Sequence, residues 1–114
     1  MMDYSGLHDA EINMKVCAAL GLGLSSYARI IRQGDASILL DDNKTLVDYC
    51  NNPADAWPII FSNRIGIVPG TATDKWAAHH GDWNIATADA NPLRAAMTVF
   101  LLMQESANVQ DNPA

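Results

Sequence analysis

The chain has 114 residues and a mass of 12.3 kDa; 49 % of its residues are hydrophobic and 18 % charged. That length allows one domain, expected over residues 1–114, and the apolar fraction excludes a disordered chain. Thirteen acids against seven bases leave a net charge of −6, which argues against a broad basic surface for nucleic acid.

Leu7 to Leu20 reads as the first helix, because Ile12, Val16 and Leu20 recur every four residues and Cys17 widens the stripe. Asp9 and Glu11 suit its positive end, Ser5 or His8 serves as cap, and Gly21 or Gly23 provides the stop. Residues 24–34 fit a loop, a short strand or a helix equally well, and the fold of 24–36 stays open. Ser37 to Leu40 and Thr45 to Tyr49 read as a hairpin around Asp41-Asp42-Asn43-Lys44, whose side chains favour turn geometry. Asn52-Pro53 is a helix start, with Asn52 as cap, Pro53 in the first position and Asp55 completing a capping box. That helix is expected over Pro53 to Asn63, with a defect between Ala54 and Pro58, since an internal proline removes a hydrogen bond. Arg64 to Pro69 reads as a strand. Trp76 to His80 and Trp83 to Ala88 read as two more, joined by a tight Gly81-Asp82 turn. If Trp83 faces the core, Ile85 and Thr87 share its face. Asn91-Pro92 repeats the start signal for a last helix reaching about Ser106, with Asn91 as cap and a frayed tail from about residue 108. Its apolar surface exceeds one stripe, so it is either deeply packed or shared with another subunit.

Candidate chemistry is sparse. Cys17 and Cys50 lie 33 positions apart and read as small buried or half-buried thiols, with no disulfide framework. His79 and His80 belong to opposite faces of a strand, so with Asp82 they make a poor metal set. Asp41 and Asp42 lack a calcium-loop pattern, and the glycines around Leu22 form neither a dinucleotide nor a Walker fingerprint. No metal, cofactor or catalytic residue is expected. Eleven of the thirteen acids are Asp, which prefers caps and turns, and those around the hairpin form an acidic face. Trp57, Trp76 and Trp83 supply either core packing or an aromatic recognition patch. Met1 to Asp3 begin no basic-then-apolar leader, and Ala95 to Met103 is too short to cross a bilayer, so cytoplasmic residence in the host cell is the expectation.

Three runs carry a family resemblance: M-D-Y-S-G-L with E-I-N near the start, D-Y-C-N-N-P-A-D-A-W-P-I-I in the middle, and N-P-L-R-A-A-M-T-V-F-L-L-M-Q-E near the end. They resemble the P22 NinX-like family of small phage and prophage proteins. Where that family usually carries Ser, this chain has His8. The resemblance implies an accessory protein of a phage early region and an α+β fold like an alpha-beta-alpha sandwich, with no established reaction. It draws attention to Asp48, Tyr49, Asn51, Asn52, Asp55, Trp57, Asn91 and Arg94.

The expectation is a small, mostly antiparallel sheet packed with helices in a protein-interaction module that is a homo-oligomer or binds a phage or host protein. The candidate surface is Tyr49, Trp57, Arg94, Phe100 and Met103. Alternatives are a small-molecule or nucleotide-processing enzyme with a pocket near Asp48, Tyr49, Trp57 and Arg94, and a nucleic-acid-associated factor.

Overall fold

The structure, a computed structural model, describes residues 3–25 and 36–110. The elements run α1 (Asp9–Ala19), β1 (Ile38–Leu39), β2 (Leu46–Val47), α2 (Pro53–Ser62), β3 (Gly66–Pro69), β4 (Trp76–His80), β5 (Ile85–Asp89) and α3 (Pro92–Gln110). This is the expected α+β class. Most of the ambiguous stretch, residues 26–35, lies outside the described residues; Leu24 bridges Leu40 beside the hairpin.

Local chemistry accounts for the helix ends. His8 is the N-terminal cap residue of α1, and its N–H donates to Glu11 Oε1 at 3.3 Å. Gly21, at φ +74°, ends α1: its N–H donates to the Ala18 carbonyl and that of Leu22 to the Cys17 carbonyl. A residue without a Cβ takes this left-handed turn at no steric cost. Asn52 caps α2 by accepting from Ala54 N at 3.0 Å, and Asn91 caps α3 by accepting from Leu93 N at 2.9 Å.

Three local expectations need correction. Asp55 does not close a capping box; its carboxylate instead accepts from Asp48 N at 3.0 Å, because Asn52 N is already donated to the Asp48 carbonyl. Pro58 leaves α2 unbroken over its 10 residues. The carbonyl it cannot serve belongs to Ala54, an exposed residue in the first turn, where the lost donor costs little because the group is open to solvent. Trp83 is not a strand residue. The turn spans residues 81–84 and Trp83 holds φ +66° within it, 52 % exposed, so only Ile85 and Thr87 share the half-buried face.

The strands form two separate antiparallel sheets. β1 and β2 make the short hairpin, where the Asp42 carboxylate accepts from Lys44 N and Thr45 N, both at 2.8 Å. β3, β4 and β5 form a meander with Ala78 of β4 aligned with Ile67 and Thr87. α3 is the centre of the molecule. One side packs on the meander and others meet α1 and α2. Ala95, Ala96, Met97, Val99, Phe100 and Leu101 are buried as a result. The breadth of apolar surface on α3 is thus used inside the chain. The helix also runs to Gln110, past Ser106, since no residue before Pro113 interrupts it. Among the described residues, no helix is long and apolar enough to cross a membrane.

Candidate functional site

The three recognisable sequence runs meet in space at one polar clasp. Arg94, in the first turn of α3, is its hub, with 11 % of its side chain exposed. Its Nη1 donates to Asp9 Oδ1 at 2.6 Å and its Nε to Asp89 Oδ2 at 3.1 Å. Its Nη2 reaches the carbonyls of Tyr4 at 3.1 Å and Leu7 at 2.6 Å. One planar guanidinium thus joins α1, the end of β5 and the segment before α1, using the fork geometry that lysine lacks. Burial works against its charge, but the hydrogen bond and charge of Asp9, then the charge of Asp89, hold its pKa above the ordinary value.

A row of amides extends the clasp. Asn91 Nδ2 donates to the Cys50 carbonyl at 2.7 Å, while Asn51 Nδ2 donates to Asp9 Oδ2 and Asp48 Oδ2, both at 3.1 Å. Asn13, fully buried, donates to Asp48 Oδ1 at 2.9 Å and to the Ala36 carbonyl at 3.0 Å, and accepts from Cys50 N at 3.2 Å. These bonds supply partners that buried polar groups require. Asp48, Asn51, Asn91 and Arg94 are therefore brought together. Asp9, Asn13 and Asp89 complete the set; the partners of Asp9 and Asn13 lie more than twenty residues away, so spacing did not mark their role here, while Asp89 accepts from the nearby Asn91 N and Arg94 Nε.

The expected interaction surface is not one surface. Tyr49 and Phe100 are core residues, 4 % and 3 % exposed, and Met103 is half-buried against the core. Tyr49 sits at the end of α1's inner face, its hydroxyl 3.9 Å from Cys17 Sγ. Arg94 is committed to the clasp. Trp57 alone of the five is open, at 60 %. It stands beside Phe61, 71 % exposed, with ring centroids 6.2 Å apart. All three tryptophans are at least 39 % exposed, and the core is instead built from aliphatics, Tyr4, Tyr49 and Phe100.

A shallow cleft of about 240 Å³ lies beside the clasp, lined by Tyr4, Thr87, Asp89, Arg94 and Thr98 among others. It takes in Arg94 but not Asp48, Tyr49 or Trp57. Neither thiol is activated. Cys17 and Cys50 are buried and unpaired, and burial pushes the Cys50 thiol up to about 12 and raises that of Cys17. His79 and His80 point to opposite faces of β4: His80 Nδ1 lies 3.2 Å from the Asn63 carbonyl, while His79 stacks on Trp83. Among the described residues no group of three or more His, Cys, Asp or Glu side chains could hold a metal ion.

Burial also raises the Tyr4 phenol to about 12, with Glu105 adding to the effect. Tyr4 and Cys50 ionise from 10.0 and 9.0 upward when unfolded, but hold their protons to about 12 in the folded chain. The unfolded state loses protons first, so their contribution is intact below about pH 9 and falls as pH climbs towards about 12. Urea midpoints measured from neutral to alkaline pH should drop over that window; a flat profile would show that neither group is shielded.

No curated protein and no solved structure matches the chain. A family profile does: the one described as Bacteriophage P22, NinX matches residues 3–104. That span covers the clasp and every element through most of α3. The chain belongs to the bacteriophage P22 NinX family and is a small phage-associated protein.

Proposed function

We propose that the chain is a non-enzymatic interaction module, acting in the cytoplasm of the host cell, that docks on a phage or host protein. One observation carries this reading. α2 has two apolar faces: Ala56, Ile59 and Ile60 are buried, while Ala54, Trp57, Pro58 and Phe61 are exposed at helical spacing. Exposed residues at positions i, i+3, i+4 and i+7 are the anchor pattern by which a helix lies in a partner's groove. Trp57 and Phe61 are the residue types that concentrate binding energy at such contacts. Asp48 and Asp55 border the start of this helix on a chain of net charge −6, so the groove that receives it carries basic residues at its rim.

The test is capture from phage-infected cells with the wild-type chain and with a Trp57→Ala, Phe61→Ala double variant. Both side chains point away from the core, so the variant should keep its unfolding free energy within about 1 kcal/mol of wild type. A specific partner should be retained by wild type, elute as salt rises, and fall at least tenfold in the variant. A partner held equally by both proteins would place the contact elsewhere.

A further inference from the structure

The face of the three-stranded sheet turned away from α3 has no helix over it among the described residues. Ala78 is fully buried on the α3 side, so strand alternation puts its neighbours Ala77 and His79 on the opposite face. The register sets Gly66, His79 and Ala86 in one row and Val68, Ala77 and Ala88 in another. Neither row contains an aspartate, glutamate, lysine or arginine.

The two rows differ in height. The His79 ring lies across Gly66, where an added Cβ would stand 2.3 Å from Nε2. Trp83 stacks on His79, with ring centroids 4.0 Å apart and planes 18° from parallel. Trp83 does so from φ +66°, a backbone conformation that bulky residues rarely adopt and that surrounding structure must hold in place. The result is an aromatic ridge at one end of the face. At the other end Val68, Ala77 and Ala88 form a low shelf.

We propose that this face pairs with the same face of a second copy, each Trp83–His79 ridge seated on the other copy's Val68–Ala77–Ala88 shelf. Ridge and shelf lie on one surface, so a single two-fold rotation satisfies both contacts at once, as an isologous interface requires. Charge points to the same occupant. Arg64 and Asp82 flank the ridge end, while Asp74 and Lys75 flank the shelf end. The rotation turns Asp82 of one copy towards Lys75 of the other, and Arg64 towards Asp74. Each end of the sheet pairs one acid with one base, and Asp89 at the shelf end is neutralised by Arg94, whereas four of the six net negative charges fall within residues 3–55. Two molecules of net charge −6 therefore meet with least repulsion here.

Size sets the strength. Three strands of four or five residues cover about 14 by 16 Å. That is well short of the ~800 Å² that each partner contributes to a standard interface. The pairing is therefore a weak, reversible dimer that becomes populated only as concentration climbs towards the millimolar range. It uses a different surface from α2 and stands independently of partner docking there.

Sedimentation equilibrium of the full chain, from micromolar to millimolar concentration, tests the pairing. The wild-type chain should follow a monomer–dimer equilibrium. Ala88→Glu, at an exposed position on the shelf, should weaken it at least tenfold, as should Trp83→Ala, which removes the ridge and reads the same contact should the first variant fold poorly. Trp57→Glu on α2 should leave it unchanged. A wild-type chain that stays monomeric at millimolar concentration would overturn the proposal. So would a dimer that survives both sheet variants, or one abolished by Trp57→Glu.

Discussion

Arg94→Ala should lower stability by about 3 kcal/mol, in the range seen when one partner of a buried ion pair is removed. The loss reaches beyond two salt bridges. Without the guanidinium, the carbonyls of Tyr4 and Leu7 lose a donor, and Asp9 and Asp89 face each other's side of the clasp with no cation between them. Asp9 is about one-third exposed, so water relieves part of its cost and keeps the figure at the lower end of that range. Arg94→Lys should recover less than half of the loss, because an ammonium cannot serve both carboxylates and two carbonyls from one plane. Urea unfolding followed by circular dichroism measures both variants. Equal stability of wild type and Arg94→Ala would mean that the clasp contributes nothing net.

Asn13→Ala should cost about 2–4 kcal/mol through a different mechanism. Asn13 is buried, and its amide satisfies Cys50 N, the Ala36 carbonyl and Asp48 Oδ1 together. Truncation leaves those groups short of partners, and an unsatisfied buried group costs about 1–3 kcal/mol. Asn13→Asp separates hydrogen bonding from shape. The new carboxylate still accepts from Cys50 N but confronts the Asp48 carboxylate where a donor stood. Its stability should therefore rise as pH falls and one acid takes a proton, while that of Asn13→Ala should not. Thermal midpoints at pH 4 to 7 distinguish the two. Parallel pH profiles would show that Asn13 acts through packing alone.

Much of the framework was legible in the chain's local chemistry. Both Asn-Pro pairs start helices because the amide side chain caps an exposed N–H and proline loses nothing in the first turn. Gly21 stops α1 for the converse reason, and the Asp-rich turn closes the short hairpin. These are interactions between residues a few positions apart, and short-range spacing records them. Two of the overturned local expectations, Asp55 and Trp83, were cases in which a second local partner existed. Asp55 had Asp48 N as well as its own cap to choose from, and Trp83 had the His79 ring as well as the core.

The amino-acid sequence by itself determined the two Asn-Pro helix starts, the α+β class, the shielded thiols and the unusually broad apolar surface of the last helix. Only the tertiary structure decided what covers each surface. Periodicity shows that α3 is apolar on several sides, but packing against the meander, α1 and α2 uses those sides inside the chain and buries Phe100. Likewise Asp9 and Arg94 stand 85 positions apart and carry no mutual signal in spacing, yet a 2.6 Å ion pair joins them. The physical reason is that caps and turns are set by neighbours along the backbone. Burial, ion pairing and the bare outer sheet face depend on which distant elements the folded chain brings alongside.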